Sequence, residues 1–233
     1  MWNIRKRIQP KKDIKRIVVI NSKGGSGKST MATNLCCFFS AEGKKTALAD
    51  YDPQGSAMRW LRERPSELPK IHGLAAYSKN YTRFTRAWTL SLPADVTRVV
   101  IDAPAGVKGI DLDELLEKAD VILVPVLPSA IDIGATADFI GQIFLNHMYR
   151  SSSKVIGIVA NRALVESSIY GKLERFLLNL NIPFVCTFSE HRYYLQAAEQ
   201  GVGINELANQ ATDDYGCDEL QAWERLMRWI ERQ

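Results

Sequence analysis

Asn21-Ser22-Lys23-Gly24-Gly25-Ser26-Gly27-Lys28-Ser29-Thr30 stands between a short β-branched run, Ile17-Val18-Val19-Ile20, and a helical stretch from Lys28 to about Glu42 that Gly43 ends. Its glycines let backbone N–H groups converge on an anion with no Cβ in the way. The first turn of the following helix adds unpaired N–H donors and the positive end of the helix dipole. Strand, glycine-rich turn and helix in that order make a phosphate cradle. Lys28 is placed to reach β- and γ-phosphates, the Ser29 hydroxyl to ligate Mg²⁺, and Thr30 to contact the α-phosphate. The usual pattern, G-x-x-x-x-G-K-[ST], asks for glycine at position 22. This chain has Ser22 there, and it adds a second lysine, Lys23, ahead of the glycine pair.

Outward from this segment, strand and helix signals alternate. Thr46–Ala49, Val99–Ile101, Val121–Val126, Val155–Ala160 and Phe184–Cys186 read as strands, with a further short one at Leu74–Tyr77. Ser56–Arg64, 132–149, Ile169–Leu180, Arg192–Gln200 and Asp218–Arg232 read as helices. In segment 132–149, Ile133, Ala137, Ile140, Phe144 and Met148 recur at helical spacing. Alternation of this kind implies right-handed crossovers and an α/β fold, a mainly parallel sheet flanked by helices on both faces. Ligands of such sheets bind beyond the carboxyl ends of the strands, where the chemically pointed residues of this chain fall.

Two acidic segments belong to that edge. Val99-Val100-Ile101-Asp102-Ala103-Pro104 is a short apolar strand delivering one carboxylate, the pattern by which Asp102 acts on Mg²⁺, directly or through its waters. Read without its surroundings, Asp102 would cap the next turn. Asp50-Tyr51-Asp52-Pro53-Gln54-Gly55-Ser56 follows the second strand, and in isolation it would be an ordinary turn.

Lys23-Gly24-Gly25-Ser26-Gly27-Lys28-Ser29-Thr30 resembles the deviant Walker A motif of the ParA/MinD superfamily. The Asp-x-Asp-Pro-Gln-Gly stretch at 50–55 and the Val-Pro-x-x-Pro-Ser-x-x-Asp stretch at 124–132 resemble short ParA-type members, as does Trp60. The likeness runs from about Ile17 to Gly203. It implies a P-loop NTPase of the deviant Walker A type, with ATP and Mg²⁺ as cofactors and slow, partner-stimulated hydrolysis. Lys23 would cross a two-fold interface onto the phosphates of a second copy, so that ATP binding and homodimer formation become one event. Asp52 would place the attacking water and touch the Mg²⁺ hydration shell, with Asp50 on the same face. Asn161, after strand 155–160, would contact adenine, and Pro183 would border the base. Ala103 departs from the Thr or Cys common there. The implied partners are nonspecific DNA and a ParB-like or other adaptor.

Composition sets the outer limits. Hydrophobic residues make up 46% and charged residues 24% of the 233, enough apolar material for a sizeable core. No apolar run is long enough for a membrane span, and the basic amino terminus lacks the apolar block of a signal peptide. A cytoplasmic location is therefore expected, and the DNA partner that the resemblance implies would make it nucleoid-associated. Residues 1–16 carry seven bases against Asp13, a charge of +6, while the remainder is −2. A basic arm thus precedes one ATPase domain at 17–233. The arm either attracts nucleic acid or an acidic partner, or is a solvated extension. Arg192, Arg225, Arg228 and Arg232 are further candidates for DNA phosphates. Cys36, Cys37, Cys186 and Cys217 lack metal or disulfide spacing and read as reduced thiols. The three histidines are isolated. Leu220, Trp223, Leu226, Met227 and Ile230 form an apolar stripe whose polar flank mixes acids with arginines, which favours packing on the sheet over a membrane surface. Three functional classes follow: a ParA-type positioning ATPase, a MinD-like membrane-cycling regulator, and a metabolic ligase or reductase on the same fold. The cysteine spacing disfavours a reductase, and a ligase gives no reason for Lys23 beside the Asp-Pro-Gln stretch.

Overall fold

The apolar run before the glycine-rich turn becomes β1 (Lys15–Val19), and every other strand is ordered about it. The computed structural model describes residues 14–77, 92–151, 153–163, 171, 175, 182–207 and 214–233. Within these, α1 (Lys28–Ala41), β2 (Thr46–Asp50), α2 (Ser56–Glu63), β3 (Ile71–Ala75) and β4 (Arg98–Asp102) follow in turn. Next come α3 (Ile110–Lys118), β5 (Val121–Val126), α4 (Ala130–Leu145), α5 (His147–Arg150), β6 (Val155–Ala163) and β7 (Phe184–Ser189). The chain closes with α6 (Arg192–Gln200), α7 (Ile204–Leu207) and α8 (Asp214–Glu231). The seven strands lie in the order β3-β2-β4-β1-β5-β6-β7, and each pairing is parallel.

Register decides what meets at the carboxyl edge. Val19 pairs with Asp102 across β1 and β4, and Asp50 pairs with Asp102 across β2 and β4. The phosphate cradle therefore leaves the sheet beside two strand-terminal carboxylates. Leu112, Leu115 and Leu116 of α3 and Phe139, Ile140 and Ile143 of α4 cover one face. Leu35 and Phe39 of α1, Trp60 of α2, and Trp223, Leu226 and Ile230 of α8 cover the other. Strands buried on both faces read as continuous apolar runs, which is why β1, β4 and β5 stood out.

Several expectations shift. β3 starts at Ile71 and ends at Ala75, three residues ahead of the expected strand. The helix expected over 132–149 is two helices, broken at Asn146, whose backbone is extended (ψ 130°) and whose side-chain oxygen accepts from Met148 N at 2.8 Å to cap α5. An Asn side chain competes with the helix in this way, and no apolar periodicity reveals it. The buried face of α4 is Thr136, Phe139, Ile140 and Ile143, one step round from the predicted stripe. Helix α3 was not anticipated, although Asp111 and Asp113 in its first turn and Lys118 in its last suit the helix dipole. β1 takes in Lys15 and Arg16. Residues 1–13 of the arm expected over 1–16, and most of the expected helix Ile169–Leu180, lie outside the described residues.

The last helix packs on the sheet, as its stripe indicates. Trp223, 1% exposed, stacks on Phe188 at 4.3 Å and on Phe38 at 5.1 Å between ring centroids. Lys15 Nζ donates to the Ile230 carbonyl at 3.0 Å, closing the end of the helix against the start of β1. Replacing Trp223 by alanine is expected to remove about 3–5 kcal/mol of folding stability. Urea unfolding of the two proteins measures it; a loss below about 1 kcal/mol would mean the helix contributes little to the core.

Candidate nucleotide site

The cradle is held from its inner side by side chains. Asn21, 1% exposed, donates from Nδ2 to the Pro125 carbonyl at 2.7 Å and to Thr136 Oγ1 at 3.1 Å, and its Oδ1 accepts from Lys23 N at 3.2 Å. Asn21 and Thr136 escaped the sequence reading, because a β5 carbonyl and an α4 hydroxyl come to Asn21 only in the folded sheet. Gly25 and Gly27 take the left-handed conformation (φ 76° and 91°), whereas Ser22 does not. The departure from the usual glycine at position 22 thus costs no backbone strain. Gly24 has only the Ala105 methyl within reach of an added Cβ, at 3.9 Å.

Lys28 is 6% exposed, and its Nζ donates to the Lys23 carbonyl at 2.9 Å, with the Ser26 hydroxyl on the same oxygen at 3.3 Å. Burial lowers its pKa, opposed by the Asp102 and Asp52 carboxylates. Ser29 and Thr30 follow in the first turn of α1, whose N-cap, Gly27, supplies no side chain. The helix start therefore keeps its N–H donors for a ligand.

Asn161 approaches from the end of β6. Its Nδ2 donates to the Ser26 carbonyl at 2.8 Å and would stand 2.0 Å from a Cβ at Gly27. The pairing of β6 with β7 is irregular between Ala160 and Ala163, and Arg162 has φ 51°. A bulge of this kind re-aims a side chain, here onto the cradle. Asn161 is thus brought to the glycine turn, a contact its sequence context did not predict. Pro183, by contrast, is exposed at the start of β7, its carbonyl accepting from Ile158 N at 2.9 Å.

The three carboxylates differ in what satisfies them. Asp50, fully buried, accepts from Asp52 N and Met58 N, each at 3.0 Å. It thereby holds the turn and the start of α2; burial raises its pKa against the pull of those N–H donors. The far end of α2 is fixed by Arg64, whose Nη2 lies 2.6 Å from Glu206 Oε1 in a buried pair. Asp52 stands on this braced loop, half-exposed, its Oδ1 accepting from Gln54 N at 2.9 Å. Asp102 is also fully buried, but neither of its carboxylate oxygens has a hydrogen-bond partner. Burial raises its pKa to about 7. The Ser29 hydroxyl and Lys28 pull it down, though Ser29 makes no bond of acceptable geometry, while Asp50 and Asp52 push it up. An orphaned buried carboxylate beside a serine hydroxyl fits a hydrated divalent cation, whose waters supply the missing donors. Ser29, Asp102 and Asp52 are the residues that would hold it.

Lys23 points the other way. Its Nζ lies 3.7 Å from Asp132 Oδ1, with the two side chains 39% and 19% exposed. Asp132 sits in the first turn of α4, where Ser129 caps the helix by accepting from Asp132 N at 3.1 Å and also bonds the Asp132 carboxylate. On the opposite flank, Gly106 N donates to the Ser22 carbonyl at 2.9 Å, tying the loop after β4 to the cradle. Cys36, Cys37 and Cys186 are buried, and burial raises all three thiols. They are inert packing groups.

A family model for the CobQ/CobB/MinD/ParA nucleotide binding domain matches residues 17–183. The chain is 27% identical over 196 residues to the maintenance of carboxysome distribution protein A of Halothiobacillus neapolitanus, an alignment covering 82% of this chain and 87% of that one. Among solved structures, McdA of Cyanothece in its ATP complex aligns with a TM-score of 0.69 at 17% identity, over 91% of this chain and 96% of that one. The MinD cell division protein of Aquifex aeolicus aligns with a TM-score of 0.71 at 17% identity, over 94% and 97%. At such identities the structural likeness speaks for the fold, and the family match for nucleotide binding. The chain belongs to the CobQ/CobB/MinD/ParA nucleotide-binding family.

Proposed function

We propose that this chain is a Mg²⁺-dependent ATPase of ParA type that pairs with a second copy around ATP, binds DNA without sequence preference and positions a cargo through an adaptor protein. The observation that carries the reading is the cluster at the carboxyl edge. A buried lysine folded onto the carbonyl of its own loop faces an unpartnered buried aspartate across an open helix N-terminus. Triphosphate would replace the Lys23 carbonyl as the acceptor for Lys28 and take the free N–H groups of the cradle. Mg²⁺ held by Ser29 and Asp102 would neutralise phosphate charge. Asp52, the one site carboxylate partly open to solvent, orients the attacking water. Asn161 holds the cradle and lies where it can also meet the base. Lys23 leaves Asp132 to reach the phosphates of the second copy, where a further cation stabilises charge developing in the transition state.

The relative named for carboxysome distribution supports a protein body as the cargo. Against the membrane-cycling alternative, Trp223, Leu226, Met227 and Ile230 of the last helix's apolar stripe are buried in the core, with Leu220 partly buried. The redox alternative fares no better, with three cysteines buried and Cys217 on α8.

Asp52→Ala is expected to retain Mg-ATP binding, to hydrolyse at least about a hundredfold more slowly, and to accumulate as a pair; single-turnover assays with light scattering test this. Turnover at the wild-type rate would remove Asp52 from the chemistry. Lys28→Ala is expected to lose about tenfold or more in ATP affinity, the worth of one charge-assisted contact; calorimetry reads it.

The Lys23–Asp132 pair is partly solvated and worth no more than about 1 kcal/mol. Asp132→Asn keeps the capping geometry and frees Lys23, so pairing with ATP should occur at protein concentrations lower by roughly two- to fivefold. Lys23→Ala should stay monomeric with ATP. Sedimentation that finds both variants pairing like the wild type would sink the cross-subunit role of Lys23.

Removing residues 1–13 is expected to weaken DNA binding at low salt and to matter less as salt screens the charge. Equal affinity of the truncated chain at about 50 mM salt would take the arm out of the mechanism.

A further inference from the structure

Helix α1 carries Ser29 in its first turn, and α2 begins directly after the turn that carries Asp52. The spacing of these two helices therefore sets the spacing of a hydroxyl and a carboxylate that serve the same site. At their starts the helices do not interlock. Ser29, Thr30 and Thr33 of α1 and Ser56 and Trp60 of α2 line a space of about 150 Å³. Helix α2 has eight residues, too few to hold its shape and direction without tertiary contacts. Residues 201–207, which run from the end of α6 through α7, form a strap joined to both helices. Toward α1, Ile204 N donates to Asn34 Oδ1 at 2.7 Å, and Asn34 Nδ2 donates to the Thr30 carbonyl at 2.8 Å. Toward α2, Trp60 Nε1 donates to the Val202 carbonyl at 3.3 Å, and Arg64 donates from Nη1 and Nη2 to the two Glu206 oxygens at 2.9 and 2.6 Å. Glu206 closes the circuit by accepting from Gly203 N at 2.7 Å. The strap is bare backbone where it passes each helix. A Cβ at Gly203 would stand 2.4 Å from Cys37 Cβ on α1, and one at Gly201 would stand 2.4 Å from the Glu63 carbonyl carbon at the end of α2.

We infer that this strap sets where the Asp52 turn stands relative to Ser29, and that Arg64, Glu206 and Asn34 are positioning residues for hydrolysis rather than for ATP binding. The inference rests on the ATPase reading above and on the water-placing role given there to Asp52. A buried ion pair is a poor source of stability, because desolvating both charges costs about what their attraction returns. What the bidentate fork of Arg64 on Glu206 adds is geometry. It acts at one end of α2, while Asp50 holds the other end through Met58 N at 3.0 Å. The cradle itself is braced separately, by Asn21 and Asn161. Loosening the strap would therefore leave the phosphate donors in place and let the Asp52 turn drift.

Two variants open the strap by different physics, so either one that folds decides the question. Arg64→Lys keeps the charge and loses the fork, and Gly203→Ala wedges the strap away from α1. Calorimetry, single-turnover hydrolysis and amide hydrogen exchange without nucleotide compare them with wild type. Both should bind Mg-ATP within about threefold of wild type. Both should hydrolyse it about tenfold or more slowly, since a shift of about 1 Å made far from the chemistry is enough. Exchange at the N–H groups of Gln54, Gly55 and Met58 should quicken while β1 and β5 stay protected. In the Asp52→Ala background, Arg64→Lys should slow hydrolysis no further, because the two changes act at one point. A general loss of stability would slow both backgrounds alike. Wild-type hydrolysis in the folded variants, or equal slowing with and without Asp52, would overturn the role of the strap and leave the ATPase reading in place. A wild type that does not turn over Mg-ATP, or an Asp52→Ala variant that does so at full rate, would instead defeat the reading of the site.

Discussion

A fully buried carboxylate with nothing to hydrogen-bond is expensive, and this fold builds one at the end of its central sheet. Asp50 and Asp102 are neighbours in register and equally buried, yet Asp50 is satisfied by two backbone N–H groups and Asp102 by none. That difference sorts their roles. Asp50 holds together the turn that carries Asp52, and Asp102 is left with both oxygens unpartnered. The cost is bearable because β1 brings Lys28 into the same notch, where the lysine and the carboxylates offset each other's desolvation. A P-loop strand anywhere but beside β4 would leave both charges unanswered.

Much of this is legible in the sequence itself. Strands covered on both faces are apolar without interruption, so β1, β4 and β5 were found as runs, and β5 to the residue. The cradle was readable because its chemistry depends on residue types at fixed short spacings. What escaped depends on contacts between segments remote in sequence. The bulge that turns Asn161 onto Ser26 needs β7 as its reference. The Asn21 network needs β5 and α4. Asp50 and Asp52 look alike in sequence, and only the position of the α2 N-terminus tells the holder of the turn from the solvent-facing acid. The break at Asn146 was missed because Met148 kept the helical spacing across it. Helix α3, by contrast, carries local signals of its own: acids in its first turn, Lys118 in its last and leucines at 112, 115 and 116.

The two lysines of the cradle end in opposite situations for one topological reason. Strand β1 lies between β4 and β5, so the cradle runs between the loops that follow them. Its inner half is bolted to the fold by Asn21 and Asn161. Among the described residues, its outer half is bonded from the flanks by Gly106 N on one side and by Asp132 on the other. A single backbone hydrogen bond contributes about 1 kcal/mol net and a partly exposed ion pair about 0–1 kcal/mol. One charge-assisted contact to phosphate contributes about 1.5–3 kcal/mol. The sum of the outer restraints therefore falls at or below what one phosphate oxygen can return, whereas the inner network comprises several buried bonds. A triphosphate entering this site would find a rigid floor and a rim it can rearrange, and Lys23 is on the rim. This gradation, rather than the presence of a second lysine alone, is what makes the site suited to report its occupancy outward.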